Sequence, residues 1–217
     1  MATAITTNTA NNPFLTRAYN VESPEDCRAL YEEWAEKFND DVLGEAQGYV
    51  APQLVAQAVL AANGRLDGEI LDCGCGTGLA GLALFQAGAK TIDGNDISPK
   101  MLEIARKTTV YRELVPVDLS KPITEKDDAS YDVVTCVGTL THGHVGPDPA
   151  LKEFIRVTKK GGIVVATILD DIWKSHGYEA EVERLKEARK VDVVSTESQD
   201  YRKAAGVKAR IVVLRKK

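Results

Sequence analysis

Residues 70–78 read Ile-Leu-Asp-Cys-Gly-Cys-Gly-Thr-Gly. An apolar strand ends in the acid Asp72, glycines follow at Gly74, Gly76 and Gly78, and a helix-like run begins at Leu79. Glycine permits backbone angles and close approaches that a Cβ forbids. A glycine turn between strand and helix therefore lets a ligand rest against bare backbone, beside the unpaired N–H groups of the helix start. The stretch predicts the first strand and helix of an open α/β sheet, in which ligands bind beyond the carboxyl ends of the strands.

The turn by itself is ambiguous, because Gly76-Thr-Gly78-Leu-Ala-Gly81 also fits the dinucleotide fingerprint Gly-x-Gly-x-x-Gly. Three features separate the readings. Asp72, two residues before the first glycine, repels a pyrophosphate and attracts a ligand amino group. A second apolar run ends in Asn95-Asp96-Ile97-Ser98-Pro99, eighteen residues beyond Gly78. A carboxylate at Asp96 can take both hydroxyls of a ribose, while Ser98 and Pro99 cap and start the next helix. A third strand ends in Asp118-Leu119, placed to meet an adenine edge.

Together these segments resemble the class I S-adenosylmethionine-dependent methyltransferases. Residues 72–78 are similar to that family's first motif, residues 95–102 to its ribose-binding segment, and Asp118 to its adenine-side acid. Residues 153–167, with Arg156-Val157-Thr158-Lys159-Lys160-Gly161-Gly162, are similar to the helix and glycine turn before its fifth strand. The resemblance spans residues 19–170. Leu30-Tyr31-Glu32-Glu33-Trp34-Ala35 and the loop Val137-Gly138-Thr139-Leu140-Thr141-His142-Gly143-His144-Val145 look like the Williams–Beuren-region methyltransferase-like group. The resemblance implies a Rossmann-like, mostly parallel seven-stranded sheet with helices on both faces and an N-terminal helical cap. It also implies S-adenosyl-L-methionine as cofactor, held by Tyr31, Asp72, Gly74, Gly76, Gly78, Asp96, Ile97, Asp118, Leu119 and Val137. Tyr31 is expected near the cofactor carboxylate, and Phe38 stands where related sequences often have a second tyrosine.

The chain alternates continuous apolar runs with helical patterns, as a parallel sheet covered on both faces requires. Strands are expected over residues 69–73, 91–95, 113–117, 131–137 and 163–168, with two further strands at 191–196 and 209–214, which the family resemblance implies pair antiparallel at the sheet edge. Helices are expected over residues 24–38, 52–62, 79–87, 99–107, 149–157 and 178–189. Residues 1–18 read as a flexible N-terminus, disordered or loosely attached, and residues 19–217 as one domain, with 19–62 as the cap and 63–217 as the core.

At 217 residues, with 44 % hydrophobic and 27 % charged residues, the chain can bury about 70 % of its unfolded surface. A net charge of −5 argues against nucleic acid as a partner, because phosphate binding needs a concentrated basic surface. The four cysteines, at 27, 73, 75 and 136, form no Cys-x-x-Cys pair, and no metal site is expected. No signal peptide pattern or apolar run of the ~20 residues needed to span a membrane is visible. The expectation is a cytoplasmic protein.

His142 and His144, in the loop after the fourth strand, are the candidates for a catalytic base, since histidine titrates near ~6.5. The favoured alternative for each is a loop histidine bonded to backbone. The Asn-Pro-Pro-Tyr signature of amide and amine methylation is absent. The expected activity is methyl transfer to a small-molecule acceptor. Two rivals are a cofactor-binding protein without methyl transfer and an NAD(P)-linked oxidoreductase. The second is disfavoured by Asp72 and by the lack of a substrate domain.

Overall fold

The computed structural model describes residues 7–217. Seven strands form one sheet in the order β3-β2-β1-β4-β5-β7-β6. They are β1 Glu69–Cys73, β2 Thr91–Asp96, β3 Tyr111–Pro116, β4 Tyr131–Leu140, β5 Thr158–Leu169, β6 Val191–Arg202 and β7 Val207–Lys216. β7 runs antiparallel to both β5 and β6, so β6 lies parallel to the first five strands. The direction of strand progression reverses between β1 and β4, which opens a crevice at their carboxyl ends.

The sheet sits where the continuous apolar runs put it. Ile70, Leu71, Val133, Val134, Val165 and Ile168 are all fully buried, each worth about 1.5–3 kcal/mol relative to an exposed side chain. Seven helices are α1 Pro13–Ala18, α2 Pro24–Leu43, α3 Ala51–Ala61, α4 Leu79–Gln86, α5 Pro99–Lys107, α6 Pro147–Val157 and α7 Tyr178–Glu187. They cover the two faces of the sheet and cap its carboxyl edge. Ser23 and Ser98 cap α2 and α5 by accepting from Asp26 N and Met101 N.

Several boundaries differ from the sequence expectation. Residues 13–18, expected to be loosely attached, form α1, which is capped by Asn12 and buries Leu15 and Ala18; residues 1–6 of that segment lie outside the described residues. Helix α2 continues past Phe38 to Leu43, because Trp34 and Val42 join Leu15, Ala18 and Leu30 in a small second core. β6 runs to Arg202 instead of stopping at Thr196. Its middle is a polar edge strand, but its end turns inward, and Tyr201 and Arg202 are both buried.

Candidate functional site

The carboxyl edge of the sheet holds a large cavity roofed by α1 and α2. The glycine turn forms one wall. Gly74, Cys75, Gly76 and Thr77 all line it. At Gly76 the backbone adopts φ +54, and a Cβ built there meets nothing within 4 Å. The space beside it is therefore open to a ligand, which can approach the backbone closely. Gly78 instead sits behind the turn as the left-handed N-cap of α4 and does not line the cavity.

Asp96 faces the same space from the end of β2. Its Oδ2 accepts from Gly76 N at 2.9 Å and its Oδ1 from Ser98 N at 2.9 Å. A carboxylate offers about four lone-pair sites, so two remain for a diol. Burial pushes the Asp96 carboxyl up to about 6 against the opposing N–H bonds from Ser98 and Gly76. It is therefore mostly ionised at neutral pH.

Asp118, after β3, is held by Ser120 Oγ at 2.6 Å and Lys121 Nζ at 3.0 Å. Burial opposes its ionisation, but these contacts outweigh it and hold the carboxyl below its usual range. Ile97, Leu119 and Val137 add apolar surface along the cavity.

Asp72 does not reach the cavity. It is fully buried beneath the turn, where Tyr111 Oη donates to it at 2.7 Å and Thr135 Oγ1 at 2.9 Å. The expected attraction for a ligand amino group therefore gives way to a supporting role for the strand. Burial, only partly offset by these two hydroxyls, pushes the Asp72 carboxyl up to about 6.

The two histidines part company. His144 Nδ1 lies 2.6 Å from the His142 carbonyl oxygen, so that nitrogen carries the proton and donates. Its Nε2 then accepts from Tyr31 Oη at 2.8 Å. Burial pushes His144 down to about 4. Both of its nitrogens are occupied, and the O–H of Tyr31 is committed to His144 rather than free for a cofactor carboxylate. His142 does not line the cavity. Its Nε2 is 3.1 Å from Asp171 Oδ2, and its ring packs against Tyr19 with centroids 5.0 Å apart. His142 Nδ1 is buried without a hydrogen-bond partner, but it lies off the cavity, and the cavity-facing His144 has no free nitrogen.

Further residues in and around the cavity carry no sequence signal of a site. Asn39 Oδ1 accepts from Thr77 Oγ1 at 2.6 Å, tying α2 to the glycine turn. Tyr49 and Tyr201 meet edge-on, with ring centroids 5.1 Å apart. Their hydroxyls converge on Gly138, where φ is +82, and a Cβ built there would sit 3.0 Å from Tyr49 Oη and 3.1 Å from Tyr201 Oη. Burial raises both phenols, so they remain neutral O–H donors. Among the described residues, all four cysteines are free and buried, and no group of three or more His, Cys, Asp or Glu side chains could hold a metal. Among those residues, no helix is long and apolar enough to cross a membrane.

An open glycine turn, an acid at the end of the second strand and an acid beyond the third border one cavity, a layout similar to that of class I S-adenosylmethionine-dependent methyltransferases. Residues 71–166 match the family described as "Methyltransferase domain". The chain is 33 % identical to human methyltransferase-like protein 27 over 73 % of its own length and 65 % of that protein's. It is also 33 % identical to demethylmenaquinone methyltransferase of Streptomyces avermitilis, over 70 % of this chain and 63 % of the relative. The chain thus spans slightly less than two thirds of either curated relative. Among solved structures, magnesium protoporphyrin IX methyltransferase from Synechocystis PCC 6803, with bound S-adenosylmethionine, matches with a TM-score of 0.61. That match has 19 % identity and covers 87 % of this chain and 96 % of the other; it speaks for the fold.

Proposed function

We propose that this chain transfers the methyl group of S-adenosylmethionine to a small-molecule acceptor. The observation that supports this most is the single cavity joining Asp96, Asp118 and the open turn at Gly76 to Val137 and Gly138 at the end of β4. The cofactor brings a sulfonium-bound methyl group that is already electrophilic. What the protein adds is position. Asp96 holds the ribose diol, Asp118 and Leu119 flank the adenine, and the turn from Gly74 to Thr77 lies along the amino-acid end. The two phenols over Gly138 orient the acceptor. Alignment of this kind can contribute about 7–11 kcal/mol.

With His144 occupied and His142 outside the cavity, we assign no catalytic base. His144 and Tyr31 serve instead as a latch between α2 and the loop after β4. The reading makes two demands. S-adenosylhomocysteine must bind, seen by calorimetry, whereas NAD must not. Metabolite extracts incubated with the protein and isotopically labelled S-adenosylmethionine must yield a labelled methyl product. Cofactor binding without any labelled product across extracts would favour a cofactor-binding protein that does not transfer methyl groups.

A further inference from the structure

Arg202 is 1 % exposed and lines the cavity at the end of β6. The β6–β7 register slips between Asp200 and Arg202. Such an irregularity re-aims side chains, and here consecutive residues, Tyr201 and Arg202, both border the cavity. The guanidinium donates to Gln47 Oε1, to the Asn8 carbonyl at 2.7 Å and to Tyr19 Oη at 2.8 Å. Every one of these partners is neutral. Among the described residues Arg202 forms no ion pair, and its Nε is buried without a hydrogen-bond partner. Of five N–H donors, three are used and two are left.

A buried cation without a counter-charge is costly. Here its neutral partners fix its position while two donors and the full charge stay unspent beside the cavity. Its neighbour Tyr201 reaches Gly138, so Arg202 sits on the acceptor side of the site, across the sheet from Asp96 and Asp118.

We propose that Arg202 binds a carboxylate on the methyl acceptor, so that the substrate is a small carboxylic acid. The inference rests on the methyltransferase reading. A phosphate, with a charge near −1.5 to −2 and three acceptor oxygens, would outrun one cation with two open N–H groups. A carboxylate brings one charge, and the apolar surface of Val137, Tyr49 and Tyr201 receives the rest of the molecule.

The test uses the full chain saturated with S-adenosylhomocysteine. Calorimetry compares matched probes: 4-hydroxybenzoate with 4-hydroxybenzamide, 3-phenylpropanoate with its amide, and hexanoate with its amide. In the wild type, at least one acid should bind about tenfold or more tightly than its amide. The preference should vanish in Arg202→Met and survive in part in Arg202→Lys, with S-adenosylhomocysteine affinity unchanged. A purely structural arginine would not move the acid-to-amide ratio. If Arg202→Met does not fold, the ratio in the wild type and in Arg202→Lys decides. The proposal is overturned if no acid outbinds its amide, if the preference persists without Arg202, or if phenyl phosphate binds more tightly than every acid. Failure of the wild type to bind S-adenosylhomocysteine would strike the methyltransferase reading instead.

Discussion

The two halves of the cavity are built on different plans. The half at the ends of β1, β2 and β3 comes from one stretch, residues 74–119, and its recognition groups are backbone at a glycine turn plus two acids, each two or fewer residues from a strand end. The half beyond β4 draws on the side chains of Tyr19, Tyr49, Tyr201 and Arg202, from segments far apart in the chain, beside Gly138. Backbone recognition suits a ligand that never changes, because it survives most substitutions. Side-chain recognition by distant residues can be re-specified without touching the first half.

This division can be broken most directly at Asp96. Asp96→Ala should weaken S-adenosylhomocysteine binding by about 100-fold or more, since it removes two charge-assisted hydrogen bonds of ~1.5–3 kcal/mol each. Calorimetry on the folded variant reads this. Unchanged affinity would dissolve the distinction between the halves. Because the Asp96 carboxyl titrates near 6, affinity should also fall as pH drops through that value.

Gly138→Ala probes the other half. The added carbon lands beside both phenols and should cut turnover by about 100-fold, as a misplacement near 1 Å does, with cofactor affinity within about twofold. Equal losses in both measurements would show that the halves are not separable.

The latch between them answers to pH. The folded pKa of His144 lies below its ordinary value of ~6.5, at about 4. The stability that neutral His144 contributes is thus complete above about pH 6.5 and lost as pH falls towards 4, on the order of 3 kcal/mol. His144→Gln should flatten that limb of a stability-versus-pH curve measured by urea denaturation; an unaltered limb would remove His144 from the account.

The smallest effect on binding is expected at Asp72. Asp72→Asn should cost about 1–3 kcal/mol of stability, by disturbing the buried bonds to Tyr111 and Thr135, yet change cofactor affinity by less than about threefold. A loss as large as that of Asp96→Ala would restore Asp72 to direct contact.

Much of the first half was legible in the sequence. β1 and α5 have the expected limits, residues 69–73 and 99–107, because a buried parallel strand is an unbroken apolar run and a Ser-Pro start is a local signal. The role of Asp72 was misread for a reason the sequence hides. Tyr111, nearly forty residues away, folds back to cover it. The second half offered little to read. Glu197-Ser198-Gln199-Asp200 is too polar to suggest a strand, yet an edge strand needs only ladder partners, and β7 supplies them through residues 207–211. Asn12-Pro13 was a cap and first-turn signal for α1, masked by the Thr/Asn-rich residues around it. Nothing in spacing links Tyr19, Tyr49 and Arg202, which meet only through the folded sheet.

The seating of Arg202 against Asn8, Tyr19 and Gln47 also sets an order of events during synthesis. Chains emerge from the ribosome amino end first, at about 5–20 residues per second. Residues 69–119 are therefore available to assemble seconds before β6 exists. The early segments that form the far wall must wait, exposed, until residue 202 has left the exit tunnel. A nascent chain halted between β5 and β6 would already hold every residue assigned to the nucleoside, while the chamber for the second reactant would lack its last wall.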